Sequence, residues 1–203
     1  MKLASHNSWS YAKPQHWYMK PLRFFAQCQK KDIKEQWNAG ARFFDLRVFF
    51  NKKGEALFRH GSYTFNLRTI NILGDMSFLN VNAGNTNAVY VRVLLEQNHE
   101  AKNQEFQEEK FIFFCKMLQV SFPDIKFVGG RRKYDWKVIY EFPDAEPDML
   151  DKYSSTTTLI GNDRYKWYAK IDDLWPWLYA HLMNDKLIEK YKYEDVLLMI
   201  DFI

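Results

Sequence analysis

Two hydrophobic periodicities alternate along this chain. Short apolar or alternating runs of a strand's length are separated by longer stretches whose apolar residues recur at helical spacing. Lys2 to Ser8 opens as a strand and runs into a polar loop containing Pro14. From about His16 to Asn38, the residues Leu22, Phe25, Ala26, Ile33 and Trp37 fall near helical spacing, and they predict one helix ending near Gly40. Ala41 to Phe50 predicts a second strand, in which alternation puts Asp45 and Arg47 on one face with Phe43 and Phe49. Asn51-Lys52-Lys53-Gly54 is a turn, and Glu55 to Tyr63 returns as a hairpin that brings His60 back beside the second strand.

Phe65 to Leu79 reads as helical or irregular, and Asn82 to Asn87 as a loop. Ala88 to Glu96 is apolar on both faces for most of its length, as a central parallel strand is. Ala101 to Val120 predicts a helix; Ile125 to Gly129 and Lys137 to Phe142 predict short strands, separated by a solvated loop holding Arg131, Arg132 and Lys133. Thr156 to Asn162 reads as a strand, Leu174 to Tyr191 as a helix, and Val196 to Ile203 as the last strand. This alternation predicts an α/β fold, a distorted or imperfectly closed TIM-type barrel, in preference to an open doubly wound sheet. No linker or shift of composition divides residues 1–203, which read as a single domain.

A barrel has a chemical corollary: polar residues at the carboxyl ends of its strands share one mouth. His6, Arg47, Glu96, Glu141, Asp163 and Asp201 all fall at or near such ends. Taken singly, His6 and His60 read as satisfied structural histidines, and Asp45 with Arg47 as a surface pair worth about 0–1 kcal/mol. Asp201 is different, because a carboxylate between Ile200 and Phe202 demands a buried partner. With 47% apolar and 18% aromatic residues, disorder over most of the chain is excluded. A net charge of +4 biases the protein mildly towards anionic partners, yet no basic run is dense enough to read as a nucleic-acid stripe. Cys28 and Cys115 lie in helix-like contexts as small buried hydrophobes, with no disulfide or metal-ligand spacing. No glycine-rich phosphate loop argues for a nucleotide, and no apolar run reaches a membrane-spanning length. Met1 to Ala4 leads straight into the first motif, which fits a cytoplasmic protein or one whose leader has been removed.

Five stretches then stand together: Ser5-His6-Asn7-Ser8, Gly40 to Arg47, Arg59-His60-Gly61, Asp163-Arg164-Tyr165-Lys166 and Met199-Ile200-Asp201-Phe202. In this order, and over nearly the whole chain, they resemble the X-domain of phosphatidylinositol-specific phospholipases C, its bacterial branch in particular. The resemblance implies a distorted TIM barrel. It implies that His6 is the general base for the inositol 2-hydroxyl, with Asp201 holding its other ring nitrogen, and that His60 is the general acid. Arg47, oriented by Asp45, would neutralise the phosphoryl oxygens. The products would be a cyclic inositol phosphate and diacylglycerol.

By the same resemblance, Asp163 and Tyr165 would contact the inositol ring. Glu96 and Glu141 stand where bacterial relatives carry bases, which disfavours extra phosphates on the substrate. Asn7, Asp45 and Glu96 look like three of the four calcium ligands of the eukaryotic branch. Arg47 stands in the fourth position, so no metal or other cofactor is expected. Asn7 departs from the bacterial pattern, which has an Asp there supporting the acid. The expected partner is a phospholipid at a membrane surface, bound peripherally; Trp9, Tyr11, Trp17 and Tyr18, beside Lys13 and Lys20, form either an interfacial rim or the packing of the first helix. Two competing readings are a catalytically silent barrel that binds lipid head groups or a partner, and a metal-dependent glycerophosphodiesterase, which would need a carboxylate at Arg47.

Overall fold

A computed structural model describes residues 2–85, 88–96, 104–128, 132–134, 137–140, 175–193 and 197–203. Its elements run β1 (Lys2–Ser5), α1 (Arg23–Ala26), α2 (Ile33–Asn38), β2 (Ala41–Phe50), β3 (Ala56–His60), β4 (Tyr63–Phe65), α3 (Thr69–Asn85), β5 (Tyr90–Glu96), α4 (Gln104–Ser121), β6 (Lys126–Val128), β7 (Arg132–Tyr134), β8 (Lys137–Tyr140), α5 (Pro176–Tyr191) and β9 (Leu197–Ile200). Strands β9, β1, β2, β5 and β6 lie side by side in that order, all parallel. They curl into a half-barrel, the α/β, imperfectly closed TIM-type architecture that the alternation predicts.

Both faces of this sheet are buried, for different reasons. On the outer face Phe44, Leu46, Val48 and Phe50 of β2 and Val91, Val93 and Leu95 of β5 pack against Ile72, Met76 and Leu79 of α3 and Phe111, Phe114, Cys115 and Leu118 of α4. This is the main core. The inner face is layered. Ala4, Phe43, Tyr90 and Met199, one residue from each of four neighbouring strands, form an apolar floor. The register Phe43↔Tyr90, Asp45↔Arg92 and Arg47↔Leu94 then sets an ionic layer directly above it.

Local chemistry fixes where α2 starts and stops. Asp32 Oδ1 accepts from the Glu35 N–H at 2.9 Å and Glu35 Oε2 accepts from the Asp32 N–H at 3.0 Å, a reciprocal cap. Gly40, at φ 102°, turns the chain out of the helix and into β2. The hairpin β3–β4 continues antiparallel from the carboxyl half of β2, so the strand that ends in His60 returns beside β2 as predicted.

Several sequence expectations are corrected. The single helix over His16 to Asn38 is broken into a 3-10 turn over Trp17–Leu22 containing Pro21, the four-residue α1, an irregular segment, and α2. Cys28 lies in the irregular segment between α1 and α2 rather than on a helix. The residues Phe65 to Leu79 divide between β4 and α3, and α3 continues to Asn85 through most of the expected loop. β8 pairs antiparallel with the end of β5 and with β7, so Arg132 and Lys133 belong to a strand instead of a loop. The last strand stops at Ile200, leaving Asp201 just beyond its end. Of the two readings of the first aromatic cluster, packing holds for Trp9 and Tyr11: Trp9 is buried, and both donate to Asp75 Oδ2, at 2.9 and 3.2 Å. The expected strand over Thr156 to Asn162 lies outside the described residues.

Candidate active site

The site begins where β1 ends. Asn7, at φ 40°, turns the chain sharply after His6. Ser8 holds the turn to β2: its Oγ donates to the Ser5 carbonyl at 2.9 Å and accepts from the Asp45 N–H at 2.8 Å, while its N–H donates to the Asp45 carbonyl at 2.9 Å. Gln36 of α2 locks the same turn, accepting from Ser5 Oγ at 2.5 Å and donating to the Ser8 carbonyl at 2.7 Å. These buried groups satisfy one another, which makes the turn rigid as well as permitted.

A second fixed segment runs beside it. Ser10 Oγ accepts from the N–H groups of Cys28 and Gln29, each at 2.9 Å. The Phe202 N–H donates to the Cys28 carbonyl at 2.7 Å, and the Gln29 side chain bridges the Ile200 carbonyl and the Ile203 N–H at 3.1 Å each. The chain's last residues are thereby stitched against residues 28–29, and Asp201 is delivered next to His6.

Within this frame His6 Nδ1 lies 2.7 Å from Asp201 Oδ1, and Arg47 Nη2 lies 2.6 Å from His6 Nε2. A guanidinium only donates, so Nε2 is the acceptor and Nδ1 carries the ring proton towards Asp201. Burial pushes the Asp201 carboxyl up to about 7, against the opposing influence of His60, a hydrogen bond from Cys28, and Arg47. His60 lies across the mouth, its ring centroid 6.1 Å from that of His6 and nearly perpendicular to it. Its Nδ1 donates to the Ala26 carbonyl at 3.0 Å, which assigns the second proton of a charged His60 to Nε2.

Below the histidines lies the ionic layer. Asp45 is fully buried, so it is no surface pair. Its Oδ2 accepts from Arg47 Nε and Nη2 and from the Asn7 N–H, each at 3.1 Å, and its Oδ1 accepts from Arg92 Nε at 3.1 Å. Burial alone would raise this carboxyl, yet Arg92 and Arg47 hold it well below the usual carboxylate range. Glu96 caps the layer from the end of β5, accepting from the Gly61 N–H at 2.6 Å and lying 3.9 Å from Arg47 Nη1. Gly61, at φ 60°, makes the tight turn that presents both this N–H and His60. Asn7 Nδ2 is buried with no hydrogen-bond partner among the described residues.

The solved structure of phosphatidylinositol-specific phospholipase C from Listeria monocytogenes is similar to this chain at a TM-score of 0.57 and 15% identity, over 99% of this chain and 87% of that one. A Staphylococcus aureus phosphatidylinositol-specific phospholipase C is similar at 0.55 and 13% identity, over 99% and 85%. The fold is shared. No protein-family model matches the sequence, and no curated protein matches it.

Of the residues singled out from sequence, His6, Asn7, Asp45, Arg47, His60, Glu96 and Asp201 come together at one mouth. Glu96 is tied to the Gly61 backbone and lies close to Arg47. Glu141, Asp163 and Tyr165 lie outside the described residues. Two residues at this mouth escaped the sequence reading. Arg92 was masked by the apolar run of β5, although it shares the parity, and therefore the face, of Glu96. Cys28 had no signal, because its position depends on Ser10 and on the chain's far end.

Proposed function

We propose that this chain is a phosphodiesterase of the phosphatidylinositol-specific phospholipase C type, acting on an inositol phospholipid. The observation that carries the proposal is His6 held between Asp201 and Arg47, with His60 facing it across the mouth of a half-barrel of that type. His6 Nε2 takes the proton of the inositol 2-hydroxyl, and the freed oxygen attacks phosphorus within the same molecule, so no second reactant has to be ordered. The bond from phosphorus to the diacylglycerol oxygen breaks, and His60 Nε2 supplies that oxygen's proton. A cyclic inositol phosphate and diacylglycerol leave.

Arg47 is given two positions by this scheme. In the structure it donates to His6 Nε2; an arriving phosphoryl group draws the guanidinium away and frees the base's lone pair. Asp45 and Glu96 keep the side chain between them in either position. The buried Asn7 amide supplies a further donor to a phosphoryl oxygen, a role suited to its unpartnered Nδ2. The guanidinium occupies the place and supplies the charge that a calcium ion would, which supports metal-independent catalysis. Glu96 at the mouth supports an unphosphorylated inositol ring. For contact with a lipid surface, Trp17 and Tyr18 remain strongly exposed, and Phe24, Phe25, Trp175 and Trp177 add partly exposed aromatic area. No helix among the described residues is long and apolar enough to cross a membrane.

One observation favours the silent head-group-binding barrel: Arg47 already caps the base's lone pair. Phosphorus NMR of the protein with phosphatidylinositol micelles in excess EDTA decides between the two. A cyclic phosphodiester resonance that vanishes in His6→Ala supports the enzyme, whereas binding of micelles without turnover supports the silent barrel. Turnover that appears only after calcium is added would overturn the role given to Arg47.

A further inference from the structure

The Cys28 thiol is the chemically active group at this mouth for which the proposed reaction has no use. Cys28 Sγ, an imidazole nitrogen of His6 and a carboxylate oxygen of Asp201 all lie within 4.8 Å of one another. Cys28 Sγ lies 3.9 Å from the Ala26 carbonyl oxygen and 4.0 Å from His60 Nδ1, and the thiol's influence favours the ionised form of Asp201. The three side chains come from the turn after β1, the segment before α2 and the residue after β9, and no spacing in the sequence links them.

We propose that Cys28, His6 and Asp201 form a transition-metal site with a thiolate ligand, and that zinc is the ion it favours. One sulfur, one imidazole nitrogen and one carboxylate oxygen are a zinc ligand set, leaving a fourth position open towards the mouth. Calcium and magnesium require six or more oxygen ligands and gain little from a thiolate. Zinc–ligand bonds of about 2.0–2.3 Å set neighbouring ligand atoms roughly 3.3–3.7 Å apart. The 2.7 Å separation of His6 Nδ1 and Asp201 Oδ1 therefore opens slightly, and Cys28 Sγ, within 4.8 Å of both, closes in by up to roughly 1 Å.

Backbone hydrogen bonds hold the three ligand-bearing segments together. Ser10 accepts from the Cys28 N–H, and the Cys28 carbonyl accepts from Phe202, the neighbour of Asp201. Binding releases the Cys28 thiol proton to solvent. The His6 ring proton moves from Nδ1 to Nε2, which obliges the Arg47 Nη2 to leave Nε2 while Asp45 retains it. Zinc thus takes the base of the proposed reaction and the carboxylate that holds it, and it acts as an inhibitor of that reaction. The site itself does not depend on the reaction's existence, and its test reads no turnover.

Cobalt(II) is the probe, because a thiolate ligand gives it a charge-transfer band in the near ultraviolet and a tetrahedral site gives it intense visible bands. The wild-type protein should bind one cobalt per chain with both features, and zinc should displace it. The charge-transfer band should disappear in Cys28→Ser and persist in Cys115→Ala, since Cys115 is buried in the apolar core. Should Cys28→Ser fail to fold by circular dichroism, Asp201→Asn must weaken cobalt binding by about 10-fold or more. Wild-type protein without the charge-transfer band, a band that survives in Cys28→Ser, or affinity unchanged by Asp201→Asn would each overturn the site.

Discussion

The two faces of β2 are almost equally buried and almost opposite in chemistry. Phe44, Leu46 and Val48 on one side meet only the apolar core, while Asp45 and Arg47 on the other meet Arg92, His6 and Glu96. On the apolar side burial itself stabilises, by roughly 1.5–3 kcal/mol for each large side chain. On the ionic side burial costs desolvation, which mutual attraction repays only while every partner is present. A strand that needed stability alone would carry apolar residues on both faces, as most of β5 does. The ionic face is therefore where function is to be sought, and substitutions on the two faces should fail in different ways.

The largest difference is expected in rate. His6→Ala should lower turnover of phosphatidylinositol per folded molecule on the order of 10²–10⁴-fold, the usual worth of a positioned base, a larger effect than any stability lost with the partner of Asp201. Turnover within tenfold of wild type would show that His6 is no base. Asp45→Ala comes next, and it should damage both properties. It leaves two buried guanidinium groups without their carboxylate, at a cost of about 3–5 kcal/mol read by urea unfolding, and it releases Arg47 from its orientation. Leu46→Ala, one residue away on the apolar face, should cost about 2–5 kcal/mol of stability and leave kcat per folded molecule within a few fold. If Leu46→Ala reduced kcat as strongly as Asp45→Ala, the two faces would not be separable.

Sequence pattern made one of these faces far more legible than the other. Alternation in β2 and the apolar run of β5 follow directly from a strand's period of two, so the barrel's central strands, the outer core and the pairing of Asp45 with Arg47 could be read locally. Arg92 obeys the same period but was hidden among valines and leucines. The break in the expected helix from His16 to Asn38 could not be read in that way. Residues 28 and 29 leave the helical path because Ser10, Ile200, Phe202 and Ile203 bind their backbone or side chains, and helical spacing of Phe25 and Ile33 says nothing of such distant partners. Cys28 was misplaced for the same reason. Long-range hydrogen bonds overrode local propensity at the segment that completes the site.

The finest comparison sets Asp45 against Asp201, two buried carboxylates that should respond to pH with opposite sign. The arginines beside Asp45 keep its folded-state carboxyl below the ordinary range, so its contribution to stability is present at neutral pH and is lost as pH falls towards acid. Burial raises Asp201 from 3.8 to about 7, so its contribution is fully present below 3.8 and is lost as pH rises from there through about 7. Urea unfolding of Asp201→Asn should therefore gain stability relative to wild type as pH rises between those values, and level off above them. The same titration governs the base. Asp201 gains a proton as pH falls through about 7 and no longer holds the His6 ring as an anion, so kcat/KM should decline on that side. Cys28→Ala removes a hydrogen bond that favours the Asp201 carboxylate, and the acid limb should move to higher pH. An acid limb that stays in place in Cys28→Ala, or a stability difference for Asp201→Asn that does not vary with pH, would mean that Asp201 is held ionised throughout and that its burial is compensated as fully as that of Asp45.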